Sequence, residues 1–242
     1  NKISHNTSPV GGGIYISGVN IPQIRDNEIY LNTSTLGAGI FCQGGTTAEI
    51  INNKIFQNCA DKKGGGIYVT GLFTDPKIKL ANEFLKNYAQ QGGAIYLDNL
   101  CNPLISGNDF LKNQADEGGA IFANTDAFQI MSNLFKWNHS VFNGGGLFIN
   151  PGMSPQVKSN VFEYNIAGAG TFSGFGKSQK GDFKAGPYNG RAIFVSGTDA
   201  DPEIHNNQFR YNAASNGGAI SIEDNATPEV KRNVFLRNID DF

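Results

Sequence analysis

No run of apolar residues in this chain approaches the roughly 20 that a helix needs to cross a bilayer, so no membrane span is expected in this segment. Neither Met nor a charged-then-apolar leader opens it, which reads as a mature or excised soluble piece. Charge is scarce as well. Only 17% of residues are Asp, Glu, Lys or Arg and the formal net charge is −2, which argues against a basic grip on nucleic acid or on an anionic membrane. Three cysteines, Cys42, Cys59 and Cys101, give an odd count and no disulfide framework, so buried thiols are expected. The three histidines, His5, His139 and His205, lack metal-ligand spacing and are expected as ordinary surface or corner residues. No metal or other cofactor is expected. What the chain has in excess is turn chemistry, with 31 glycines and 29 asparagines in 242 residues.

The asparagines are periodic. The word Asn-x-(Ile/Phe)-x-x-Asn begins at Asn1, Asn27, Asn53, Asn82, Asn108, Asn133, Asn160, Asn207 and Asn233, at spacings of 26, 26, 29, 26, 25, 27, 47 and 26. A second word, Gly-Gly-(Ala)-Ile, follows most copies, as in Gly92-Gly93-Ala94-Ile95 and Gly118-Gly119-Ala120-Ile121, and a third, Pro-x-(Ile/Val), starts at Pro22, Pro76, Pro103, Pro155, Pro202 and Pro228. Each period therefore offers three short apolar stretches separated by turns. About 26 residues cannot hold three strands and the crossover helices that parallel strands otherwise need. A coil whose strands stack on their equivalents one turn away, about 4.8 Å apart, can. The expected fold is all-β: a single-stranded parallel β-helix of about nine coils forming one domain over residues 1–242. The Ile/Phe column from Ile3 to Phe235 should fill the bore. The two Asn columns should form corner ladders, with Asn supplying the left-handed backbone of tight corners.

Phe84-Leu85-Lys86-Asn87, Phe110-Leu111-Lys112-Asn113, Phe135-Lys136-Trp137-Asn138, Phe162-Glu163-Tyr164-Asn165, Phe209-Arg210-Tyr211-Asn212 and Phe235-Leu236-Arg237-Asn238, alternating with the glycine words, make the sequence resemble the repeats of the polymorphic outer membrane protein family. That resemblance implies a right-handed β-helix in a surface-exposed or secreted protein, often an adhesin-like passenger. On it, the chain is expected to be an extracellular or cell-surface scaffold without enzymatic activity, meeting a glycan or protein partner. The alternative is a polysaccharide lyase or hydrolase, since enzymes of that class carry acidic residues on one face of a β-helix.

Functional residues are sought where the repeat is broken. Asn124-Thr125-Asp126 matches one element of a polygalacturonase signature, but the paired aspartates, Gly-His-Gly and Arg-Ile-Lys that accompany it are missing. Acids recur after the glycine strand at Asp98, Asp126, Asp199, Asp201, Glu223 and Asp224; they read as polar loop residues, with Ca²⁺ ligation as the alternative if neighbouring coils gather them. Of the glycosylation sequons, those at Asn6, Asn32 and Asn138 fall on ladder members, which leaves Asn225 as the candidate acceptor. Strand alternation points the aromatic after each glycine word away from the bore. Tyr15, Phe41, Tyr68, Tyr96, Phe122, Phe148 and Phe194 should then form a solvent-side stripe open to a glycan or a partner's flank. Residues 170–189, with Lys177, Lys180 and Lys184, interrupt the repeat and read either as a displayed loop or as a degenerate extra coil. Finally, the chain enters and leaves in mid-repeat, which suggests an excerpt of a longer solenoid or head-to-tail self-association.

Overall fold

The computed structural model describes residues 1–126, 128–168, 192–214 and 217–240. Within them the chain is a parallel β-solenoid of about eight turns with no helix, so no helix is long and apolar enough to cross a membrane. The strands stack into one nine-stranded and three eight-stranded sheets, and every pairing joins a strand to its equivalent in the next coil. The nine-stranded sheet runs from Lys2–Ser4 to Val234–Leu236 and keeps the Ile/Phe column in register, including Phe162 opposite Phe209 across the interval of 47 residues. Residues 170–189, and with them Lys177, Lys180 and Lys184, lie outside the described residues.

Apolar columns from three of the sheets fill the bore. Phe84, Phe110, Phe135, Phe162 and Phe209 are fully buried and stack with centroids 4.6–5.2 Å apart. Opposite them stand the aliphatics of the glycine-word strands (Ile14–Ser17 through Ile220–Glu223) and the Ile/Val of the proline-word strands (Gln23–Arg25 through Glu229–Lys231). Cys42 sits at one of these aliphatic positions, paired with Ile16 and Val69.

The coil has four strands, where the sequence suggested three. The fourth follows the second Asn of each word, from Thr33–Leu36 and Cys59–Lys63 through Tyr88–Gln91 and Gln114–Glu117 to Ile239–Asp240. It lacks an apolar signature because only one small residue per strand faces inward, such as Ser34, Ala60, Ala89 or Ala115. The glycine word explains the join between fourth strand and glycine strand. Gly118 has φ +63°, and a Cβ on Gly119 would meet the carbonyl oxygens of Gly145 and His139 at 2.4 Å, so the chain turns sharply and passes close beneath the next coil.

The ladders are present, but the left-handed residue is the one before each ladder Asn: Leu31, Lys86, Lys112, Trp137, Tyr164, Tyr211 and Arg237 all have φ of 51–56°. The asparagines serve instead as hydrogen-bond bridges. Asn113 accepts from the backbone and side-chain nitrogens of Asn87, both at 3.0 Å, and its own amide donates to Asn138 Oδ1 and to the Phe84 carbonyl. A side chain in the left-handed region costs about 1–2 kcal/mol, and the bridging amide offsets it by satisfying the buried groups that the bend removes from the sheets.

Candidate functional site

Three surfaces compete for the role. The first is the aromatic stripe, which forms as a stack but not on the solvent side. Phe41, Tyr68, Tyr96, Phe122, Phe148 and Phe194 stack with centroids 4.6–5.4 Å apart and are buried; only Tyr15, at the first rung, is exposed. The unforeseen fourth strand is the reason. Leu36 and Lys63, which end it, and Val10, bridged to Leu36, lie against the rings, with the Lys63 ammonium 4.3 Å from the Tyr96 centroid. The stripe is thus a second core outside the bore.

At its outer edge Asp98 acts as a hub between coils. Its carboxylate accepts from the Tyr68 hydroxyl, from the Asn99 backbone N–H at 3.0 Å and from Asn124 Nδ2 at 3.1 Å, with Lys63 Nζ at 4.0 Å. Burial pushes the Asp98 carboxyl up, but these donors outweigh it and hold the group below the usual carboxylate range. Burial, reinforced by the bond to Asp98, raises the Tyr68 hydroxyl. The other loop acids are similarly engaged. Asp126 accepts from the Ser154 N–H at 3.0 Å, Asp201 from the Thr227 hydroxyl, Asp224 from Ser196 Oγ at 2.6 Å and Glu223 from Ser221 Oγ at 3.0 Å, while Asp199 offers its backbone carbonyl to Ser154. They do not converge: among the described residues no group of three His, Cys, Asp or Glu is placed to hold a metal ion.

The remaining sequence candidates separate. Thr125 is buried and donates to the Cys101 carbonyl at 2.6 Å, which makes Asn124-Thr125-Asp126 an inter-coil seam. Asn225 is exposed in the turn that follows the last glycine strand. His5 is an exposed corner residue, but His139 and His205 are both buried within strands, His205 with its Nε2 3.1 Å from a Glu229 oxygen.

The second surface is a cleft of about 400 Å³ lined by Gln90, Gln91, Asp116, Glu117 and Phe142, beside the fourth sheet. Gln91 Nε2 donates to Glu117 at 2.9 Å, and burial together with the Glu117 charge raises the Asp116 carboxyl. A carboxyl raised by burial beside a second carboxylate is an element of acid–base chemistry. Sequence reasoning passed over them because they close the strand that has no apolar period.

The third surface is a ladder of exposed Trp137 and Tyr164 and half-buried Tyr211, at the left-handed corner of three successive coils, with centroids 6.2 and 4.9 Å apart. Lys112 and Lys136 lie 5.2 and 4.4 Å from the Trp137 ring, and Arg237 lies 6.0 Å from that of Tyr211. The signal was present in the third position of Phe-x-x-Asn, read only as repeat grammar.

Comparison with known proteins agrees with this architecture over part of the chain. Residues 1–82 match the family model described as a right handed beta helix region. That is about a third of the chain, and the four-sheet stacking continues through the described residues beyond it. No curated protein and no solved structure matches the chain. The match supports a right-handed β-helix, and the fold alone assigns no chemistry.

Proposed function

We propose that the protein is an extracellular or cell-surface β-helical scaffold that acts by adhesion, offering a lateral face to a glycan or protein partner. The observation that carries this reading is the use made of the loop carboxylates: Asp98, Asp126, Asp201 and Asp224 accept hydrogen bonds from neighbouring coils. A carboxylate that must give or take a substrate proton needs that position open; here the acids join coil to coil. The surface location is supported by the resemblance of the Gly-Gly-Ala-Ile and Phe-x-x-Asn words to polymorphic outer membrane protein repeats. Filament formation by head-to-tail stacking is consistent with a parallel register that a second copy can extend, and sedimentation over a range of concentrations tests it.

One observation favours a second reading. The cleft at Asp116 and Glu117 pairs a raised carboxyl with an adjacent one, as a polysaccharide hydrolase or lyase would use. A single experiment separates the two: new reducing ends measured over a panel of acidic and neutral polysaccharides. The scaffold reading expects none from the unmodified chain. Release that is abolished by Asp116→Asn would replace it with the enzymatic one.

A further inference from the structure

The Trp137–Tyr164–Tyr211 ladder differs from the buried aromatic columns in what it shows to solvent. Trp137 is 47% and Tyr164 37% exposed, although each ring is stacked on its neighbour. The Trp137 ring is approached by Lys112 and Lys136, the second of which also lies 5.6 Å from the Tyr164 ring, and the Tyr211 ring by Arg237. Each ring therefore has neighbours at its faces: Trp137 has Tyr164, Lys112 and Lys136, Tyr164 has Trp137, Lys136 and Tyr211, and Tyr211 has Tyr164 and Arg237. What points outward is ring edge, where the positive part of the aromatic quadrupole lies, together with the two tyrosine hydroxyls.

The flanking charges have the same sign. Lys86 and Lys112 precede the aromatics in the same corner column and Arg237 follows them; Lys136 and Arg210 stand one residue away. Against these five cations Glu163 is bound to Lys136 at 2.7 Å, and Glu83 and Asp109 stand three residues before Lys86 and Lys112. Among the described residues Lys86, Lys112 and Arg237 form no ion pair and all three are exposed. A chain of formal net charge −2 thus carries a straight cationic ridge, reaching over five coil steps of about 4.8 Å, or roughly 24 Å.

We propose that this ridge binds an anionic polysaccharide, its strand lying along the solenoid axis and its carboxylate or sulfate groups meeting Lys86, Lys112 and Arg237 while ring edges and tyrosine hydroxyls contact its oxygens. The geometry selects the class. A neutral glycan is gripped mainly by stacking on open ring faces, and a single-stranded nucleic acid needs such faces for its bases; here the faces are already flanked by neighbouring rings and cations. A repeating ligand suits a site that itself repeats once per coil, since contacts at successive rungs add as one multivalent engagement. The proposal deepens the adhesive reading and rests on it.

Trp137 is the chain's one tryptophan, so its fluorescence reports occupancy of the ridge directly. The unmodified chain is titrated with polygalacturonate, heparin, neutral dextran and a single-stranded DNA oligonucleotide, while retention is measured in affinity gels. Saturable fluorescence change with one or both anionic glycans, and none with dextran, is expected; comparing the two separates carboxylate from sulfate as the recognised group. The triple variant Lys86→Gln/Lys112→Gln/Arg237→Gln should weaken binding about tenfold or more, from three lost charge contacts. Lys62→Gln/Lys77→Gln/Lys231→Gln, which removes the same charge elsewhere, should leave it within about twofold of the unmodified chain. Circular-dichroism melts accompany both variants, and Tyr164→Phe/Tyr211→Phe isolates the hydroxyls if a charge variant fails to fold. Equal loss in the two charge variants, no response to either anionic glycan, or tighter binding of the DNA would overturn the proposal. Reducing-end release from the same polysaccharides is read in parallel. Its appearance would refute the scaffold reading whatever the ridge does, and its absence with an unaltered ridge variant refutes the ridge alone.

Discussion

Replacing Asn113 by Ala removes one rung of a ladder and tests whether the corners or the bore hold the coils together. Four hydrogen bonds pass through this side chain: two accepted from Asn87, and one donated each to Asn138 Oδ1 and the Phe84 carbonyl. Asn87, Asn113 and Asn138 are all fully buried, so water does not replace what is lost. At about 1 kcal/mol net per bond, with an additional cost for the stranded Asn87 N–H, the change should destabilise by about 4–5 kcal/mol. For a chain of this size that is a fall in melting temperature of roughly 8–20 °C. The control is Asn1→Ala, whose exposed amide makes one bond, to Asn27 at 3.0 Å, and should cost less than about 1 kcal/mol. Because each coil contacts only its neighbours, the interior variant should also divide a single thermal transition into two, as the coils on either side uncouple. Scanning calorimetry reads both effects. Were Asn113→Ala to melt within about 2 °C of Asn1→Ala, the ladder would be an accompaniment to bore packing and the argument from bridging amides would fail.

Other outcomes follow from the same structure. Gly119→Ala should destabilise by about 2–3 kcal/mol in chemical denaturation because its Cβ has only backbone to displace, whereas Gly152→Ala, with open space and φ +79°, should cost about 1 kcal/mol from backbone strain alone. Cys42 and Cys101 are raised to about 12 by burial, so at pH 8 a thiol-reactive dye should label them only after unfolding, with half-buried Cys59 labelled first and slowly; rapid labelling of all three in the native state would refute the packed bore. Asp98 is held below its ordinary value, so its contribution is complete above the unfolded carboxyl pKa and declines as pH falls through the lower folded one; Asp98→Asn should flatten the acid limb of stability against pH. Tyr68 is displaced the opposite way, so its contribution is full below pH 10.0, its unperturbed value, and is lost as pH rises above it; Tyr68→Phe should shift alkaline unfolding upward.

Sequence alone determined the solenoid. A word of six residues repeated every 26 or so leaves room for no other way of pairing parallel strands, and the bore column from Ile3 to Phe235, the two Asn columns and the buried thiol of Cys42 all stand where their spacing placed them. These features were legible because each is a one-dimensional pattern: strand alternation fixes which side of one strand a residue faces, and the period fixes what stacks on it. The fourth strand was hidden, since a single inward Ala or Ser per coil leaves no hydrophobic period to read. From that omission came the misplaced stripe. Alternation correctly sent Phe41, Tyr68, Tyr96 and Phe122 away from the bore, but whether outward meant solvent depended on another strand folding alongside. The left-handed position also lay beyond the sequence, because Leu31, Trp137 and Tyr164 have no local preference for it; the tertiary hydrogen bonds of the following Asn impose it. The same constraint turns Trp137, Tyr164 and Tyr211 out at the corner, where the pattern Phe-x-x-Asn showed only two unspecified residues. Periodicity records which residues share a column, and only the packed coil decides whether that column meets water, another strand or a ligand.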